Sequence, residues 1–198
     1  MRFDVPEPLG PADRIENKEP LKSFIAEMHA EFPSFVILRK ETSPLSKAID
    51  VLLKVVTFGG QRDYLTHYYT VIGDRLYVPE GWDEVDPVSA VITLRHERVH
   101  LRQRRRYTMP LFMLVYLLLP LPFGLAYGRA RIEWEAYTET LRATLELAGE
   151  DAVKSPFLRA RIVRQFTGAA YGWMWPFRKT VERWYDDVLA QILAEKPR

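Results

Sequence analysis

The sequence predicts an α+β fold: a short antiparallel sheet from residues 35–79 packs on a central helix, and a mainly helical second half completes the domain. Three observations point there. Phe35-Val36-Ile37-Leu38 and Arg75-Leu76-Tyr77-Val78 are short apolar runs bounded by turn residues, and both lie early in the chain. Beyond residue 86 the apolar spacing is predominantly helical. Asp86-Pro87 pairs a capping residue with proline at the first helical position, opening a helix that is apolar on two sides and therefore buried.

Taken in order, residues 1–20 are charged and proline-rich and read as an irregular lead-in. Leu21, Phe24, Ile25 and Met28 recur at helical spacing up to Glu31, before Pro33. Phe35 to Leu38 follows as a buried strand. Ser43-Pro44 starts a second helix that runs towards Val56 and is broken by Gly59-Gly60. Tyr64 to Ile72 is rich in tyrosine, threonine and β-branched residues. Gly73-Asp74 separates it from Arg75–Val78, which predicts a hairpin. The next helix carries Val88, Ile92 and Val99 on one strip and Leu94 and Leu101 on another. A long helix is expected over Leu125 to Leu147, stopping at Gly149. Residues 151–198 read as two helices separated by residues 172–176, a C-terminal extension of a single domain spanning residues 1–198.

With 47% hydrophobic and 13% aromatic residues, the 198-residue chain has material for a packed core and lacks the composition of a disordered segment. A formal charge of +2 is near balance and gives no reason to expect a nucleic-acid partner. Cysteine is absent, so disulfides and thiolate metal sites are excluded, and a transition metal would need histidine and carboxylate ligands. The N-terminus has no apolar run behind a basic start, so no secretory signal is read and a cytoplasmic location is expected.

Two of the 4 histidines, His96 and His100, are one helical turn apart, so both imidazoles project from one face and can bind one ion. Glu97 lies one step round the helix, where it can reach a water in an open coordination position and act as general base. This H-E-x-x-H spacing is uncommon by chance. Zinc needs a third protein ligand to leave one position open. No histidine follows His100, and the next helix offers Glu133, Glu135 and Glu139. Glu135 lies between Arg131 and Glu139, with Arg142 a turn on, and reads as part of a solvated, charge-paired face. Glu133 shares a face with Ala126, Ala130, Ala136, Tyr137 and Thr140, where a lone carboxylate needs a partner. Glu133 is therefore the expected third ligand, against a salt bridge to Arg95 or Arg98.

His96–His100 followed by Glu133-Trp134-Glu135-Ala136-Tyr137 resembles the gluzincin metallopeptidases, and within them the branch of CAAX-processing and HtpX-like membrane peptidases, whose third ligand opens an E-x-x-A-D motif. The resemblance implies a zincin-like fold and a zinc ion held by His96, His100 and Glu133, with Glu97 as base. It also implies a peptide or protein substrate added as a strand to a sheet edge, for which Arg75–Val78 or its hairpin partner is the candidate. Tyr137 stands where that motif has the aspartate that usually hydrogen-bonds a ligand histidine; a phenol can donate or accept there, or point into the cleft instead. Tyr137, Tyr69 and His67 are candidates for stabilising an oxyanion.

Tyr107 to Gly128 contains no charged residue and follows Arg102, Arg104, Arg105 and Arg106. A single membrane crossing there would separate His100 from Glu133. The arms of a hairpin turning at Pro120 would be too short to span a core about 30 Å thick. A buried helix is the favoured reading, with membrane-surface insertion and an oligomer interface as alternatives. Arg95, Arg98, Arg102 and Arg105 form a stripe best read as solvated or paired with neighbouring carboxylates. The expected activity is metal-assisted peptide hydrolysis. Its rivals are a zinc hydrolase of a small amide or ester and a non-catalytic metal-binding or membrane-associated module.

Overall fold

The computed structural model describes residues 14–56, 64–106, 125–168 and 174–195. The chain is α+β and mostly helical, and it divides into two compact units, Met1–Val91 and Ile92–Arg198. The predicted residues 107–124 lie outside the described residues, as does the Gly59-Gly60 break. Among the described residues no helix is long and apolar enough to cross a membrane.

In the first unit, α1 (Leu21–Glu31) buries Leu21, Phe24 and Met28, three of the four positions its spacing singled out, and leaves Ile25 half-buried. Strand β1 (Val36–Arg39) follows, then α2 (Pro44–Val56), the single turn α3 (Tyr64–His67), and strands β2 (Thr70–Ile72) and β3 (Arg75–Val78). Ser43 caps α2 through its hydroxyl, which accepts from the Ser46 amide at 3.2 Å. The β2–β3 hairpin turns through Gly73, whose φ of 65° supplies the left-handed position a tight turn requires.

The sheet corrects two expectations. It is mixed rather than antiparallel: in the order β1-β3-β2, β3 pairs antiparallel with β2 but parallel with β1. A parallel neighbour needs a long crossover, and α2 lies within the connection between the two strands. Arg75–Val78 is therefore the central strand, and only its hairpin partner Thr70–Ile72 keeps the edge role. The segment from Tyr64 to Ile72 is also not one strand. Its first residues turn as α3 beside Lys40, a fully buried lysine whose ammonium donates to the carbonyls of Tyr64 (2.8 Å) and Tyr68 (2.7 Å). The same ammonium sits 3.6 Å from the centre of the Tyr64 ring.

Part of the lead-in is ordered by charge. The Arg39 guanidinium bridges Glu16 (2.9 Å) and Asp83 (2.8 Å), and the Trp82 indole donates to Glu16 at 3.1 Å. Ile15, in a 3-10 turn, and Trp82 are both buried there.

Helix α4 (Pro87–Arg106) continues from the first unit into the second. Asp86 caps it as expected, its carboxylate accepting from the Ser89 amide at 2.9 Å. The buried stripe of α4 is Ala90, Val91, Leu94 and Leu101; the predicted strip Val88, Ile92 and Val99 is only half-buried. Helix α5 (Leu125–Ala148) ends one residue past the predicted boundary, before Gly149. After it come one turn, α6 (Glu150–Val153), and two longer helices, α7 (Pro156–Thr167) and α8 (Arg178–Ala194). Ala130, Trp134 and Leu141 of α5 share one core with Ile162 and Phe166 of α7 and Val181, Tyr185 and Ile192 of α8. The C-terminal helices are thus integral to the unit that carries α5.

The cap of α4 gives a stability test. Asp86→Ala should lower unfolding free energy by about 1 kcal/mol, with Asp86→Ser close to wild type, measured from urea unfolding curves. Equal midpoints for all three proteins would contradict the capping role.

Candidate metal centre

His96 and His100 project from α4 and Glu133 from α5, all within the second unit. The two helices run antiparallel. Arg95 pairs with Glu139 at 2.6 Å, His96 meets Thr140, His100 meets Glu133, and Gln103 reaches Ile132 and Glu135. Ala130 and Ala136, both fully buried, keep the facing side of α5 small. Glu133 itself is 3% exposed, so its carboxylate is held away from water beside the two imidazoles.

The three groups converge. His100 Nε2 lies 3.3 Å from His96 Nε2, and a Glu133 carboxylate oxygen lies 3.5 Å from His100 Nε2 and 3.8 Å from His96 Nε2. Ligand atoms roughly 2.0–2.1 Å from a tetrahedral ion are separated from one another by about 3.3 Å. The triangle thus has close to the dimensions of one face of such a tetrahedron. Among the described residues, His96, His100 and Glu133 form a group that could hold a metal ion.

Hydrogen bonding orients both imidazoles for that task. Gln103, 2% exposed, donates through Nε2 to the Ile132 carbonyl (3.0 Å) and the Glu135 carboxylate (2.8 Å). Turning the amide over would set its oxygen against two acceptors. Its Oε1 therefore faces His100 Nδ1 at 3.0 Å and must accept, so that nitrogen carries the proton. At His96, the Thr140 hydroxyl donates to the Ala136 carbonyl at 3.1 Å and accepts from Nδ1 at 3.0 Å. In the neutral rings both Nε2 atoms then present lone pairs to the same point.

The electrostatics follow from that crowding. His96 is lowered to about 3, first by burial and next by the charge of His100, against the pull of Glu133. Burial also opposes charge on His100, but the Glu133 carboxylate, with smaller help from Glu97 and Gln103, pushes it up to about 9. Without a metal, the pull of Glu133 thus favours a proton on His100.

Glu97 is 8% exposed, and its charge bears on His100, so it belongs to the same electrostatic environment. Tyr137 packs its ring edge-on against His96, centroids 4.7 Å apart. Of the other oxyanion candidates, Tyr69 packs on Trp82 at 5.7 Å in the first unit, and the His67 side chain lies outside the described residues.

The charged face expected around Glu135 is arranged differently. Glu135 accepts from Gln103, Glu139 and Glu146 hold Arg95, and Arg142 reaches Glu195 at 3.6 Å. The partners come from outside the helix: Arg95 and Gln103 from α4, and Glu195 from the cap that ends α8. For Arg95, the carboxylate-paired reading of the arginine stripe holds.

Sequence reasoning missed Gln103 and named Thr140 only as a neighbour. A signal for Gln103 was present: it is the one uncharged polar residue in the run Leu101-Arg102-Gln103-Arg104-Arg105-Arg106. Thr140 Oγ1 is the hydrogen-bond partner of His96 Nδ1.

No family model matches the chain, no curated protein matches its sequence, and no solved structure matches its fold.

Two outcomes follow for metal binding. Because the His100 proton must leave and His96 has none to lose, binding at pH 7 should release about one proton per ion. Apparent affinity should rise about tenfold per pH unit up to about 9 and then level off. Calorimetry in buffers of different ionisation enthalpy measures the proton count. Gln103→Leu and Thr140→Val should each weaken binding about 10–100-fold while the fold persists, read by competition with a chelating dye.

Proposed function

We propose that the protein is a zinc-dependent metallopeptidase of zincin-like, gluzincin type, hydrolysing peptide bonds with His96, His100 and Glu133 as ligands and Glu97 as general base. The observation that carries the reading is the convergence of two Nε2 atoms and a carboxylate oxygen, from helices far apart in sequence, at 3.3–3.8 Å from one another. Glu133 is turned to the histidines, while Arg95 takes Glu139 and Glu146. That is the arrangement a ligand role requires. Nitrogen and oxygen donors without thiolate suit zinc.

Among the described residues the group has three ligands, which favours catalysis over a purely structural ion, since a structural zinc is normally closed by four. A bound zinc would supply a water of lowered pKa and polarise the substrate carbonyl. Glu97, beside His96 on the same helix, would be the base that accepts a proton from such a water and returns it to the leaving amine. Gln103 and Thr140 hold the two imidazoles in their ligating tautomers throughout. Tyr137 is in ring contact with the ligand His96 and is the oxyanion candidate this reading takes. The peptide substrate follows from the resemblance at His96–His100 and Glu133–Tyr137.

Purified protein should carry about one zinc per chain, lost in His96→Ala and weakened in Glu133→Ala. Glu97→Gln should keep the metal yet lose about 10²–10⁴-fold in rate on a peptide library. Cleavage of small esters or amides with no peptide cleavage would redirect the reading to a small-molecule hydrolase. Metal-free protein after growth and refolding in zinc would sink it.

A further inference from the structure

The ligand set lies between two contacts that tie α4 to α5. On α4, His96 and His100 fall between Arg95 and Gln103; on α5, Glu133 falls between Ile132 and Glu139. Gln103 fastens one side by donating to the Ile132 carbonyl and the Glu135 carboxylate. Arg95 fastens the other, its Nε donating to Glu139 at 2.6 Å and its Nη1 to Glu146. Glu139 and Glu146 stand two turns apart on one face of α5, so a guanidinium bonded to both resists sliding in either direction. Burial opposes the charge of Arg95, and Glu146 and Glu139 hold it charged in spite of that. With Glu135 on Gln103, and Glu139 and Glu146 on Arg95, Glu133 is the α5 carboxylate that meets the imidazoles.

We propose that Arg95 is a positioning residue: by fixing the height of α5 against α4, it keeps Glu133 beside both histidines. A single contact at Gln103 would let α5 pivot about it. A second contact on the far side of the ligands stops the pivot. The precision required is high, because one residue of helix rises about 1.5 Å whereas ligand distances at a metal tolerate about 0.2 Å. A slip much smaller than one residue therefore takes Glu133 out of range. Arg95 is only 15% exposed and binds two carboxylates, unlike the solvated ion pairs that contribute little. The consequence for metal binding rests on the reading of His96, His100 and Glu133 as ligands; the control of helix register does not.

The test compares the full chain with Arg95→Gln, Arg95→Lys, Glu139→Gln and the double variant Arg95→Gln/Glu139→Gln, each checked for folding by thermal melting. Zinc affinity is read by competition with a chelating dye, and coordination geometry by the absorption spectrum of bound cobalt(II). Arg95→Gln should weaken zinc binding about 10–100-fold and alter the cobalt spectrum. Arg95→Lys, which keeps the charge but not the fork, should recover part of both. Glu139→Gln should act in the same direction, and the double variant should be no weaker than Arg95→Gln, since both changes break one contact. Glu139→Gln is isosteric and keeps the test open should Arg95→Gln not fold. In the metal-free protein, the proton resonance of His96 Nδ1–H should shift in Arg95→Gln, because its acceptor Thr140 moves with α5.

Two results would overturn the proposal. Folded Arg95→Gln could keep the wild-type zinc affinity, cobalt spectrum and His96 resonance, even with a lower melting temperature; Arg95 would then be an ordinary helix–helix ion pair. The losses in Arg95→Gln and Glu139→Gln could instead add in full, which would assign the effect of Arg95 to something other than this contact. Wild type that takes up no zinc, with the His96 resonance still moved by Arg95→Gln, would sink the metallopeptidase reading and leave the role of Arg95 standing.

Discussion

Two imidazole nitrogens and a carboxylate oxygen facing one another across less than 4 Å in a buried space repel unless something positive lies between them, and much of the second unit is arranged to hold them there. In the metal-free chain the Glu133 carboxylate favours a proton on His100, which answers part of that need. A divalent ion meets it more completely, because it accepts all three lone pairs at once. Competition between proton and metal for this one position links the protein's electrostatics to its chemistry.

The surroundings of the triangle restrict it to that use. Gln103 and Thr140 spend their hydrogen bonds so that both Nδ1 atoms must donate, and both Nε2 atoms are left to ligate. Behind the ligands, the Tyr137 ring lies against His96 on one side and Phe166 on the other, centroids 5.4 Å apart. Phe166 also meets Trp134 and belongs to the core that α5 shares with α7 and α8. Packing in the C-terminal helices thus backs the side chain that borders the site. A small core change there would be felt at His96 through a single intervening ring.

Much of the architecture was legible because it depends on neighbours in the chain. The caps of α2 and α4 follow from Ser43-Pro44 and Asp86-Pro87, and α5 follows from its periodicity and Gly149. Strand partnership was less legible. β1 chose a parallel neighbour because a helix intervenes, and residues 64–67 turn where a buried ammonium from Lys40 holds the carbonyls of Tyr64 and Tyr68. Both outcomes come from groups distant in sequence, which propensity does not record.

The same division applies to the candidate centre. Sequence alone determined that His96, Glu97 and His100 share a helix and that Glu133 stands on a face of small residues, since both statements follow from helical period and side-chain size. Only the tertiary structure decided that α5 approaches α4 antiparallel at the height that brings Glu133 to both histidines. It alone recruited Gln103 and Thr140 to choose their tautomers, and set Arg95 on Glu139 and Glu146 rather than on Glu133. The reason is geometric. Period sets which side chains share a face, whereas the meeting of two faces depends on the packing of the whole unit.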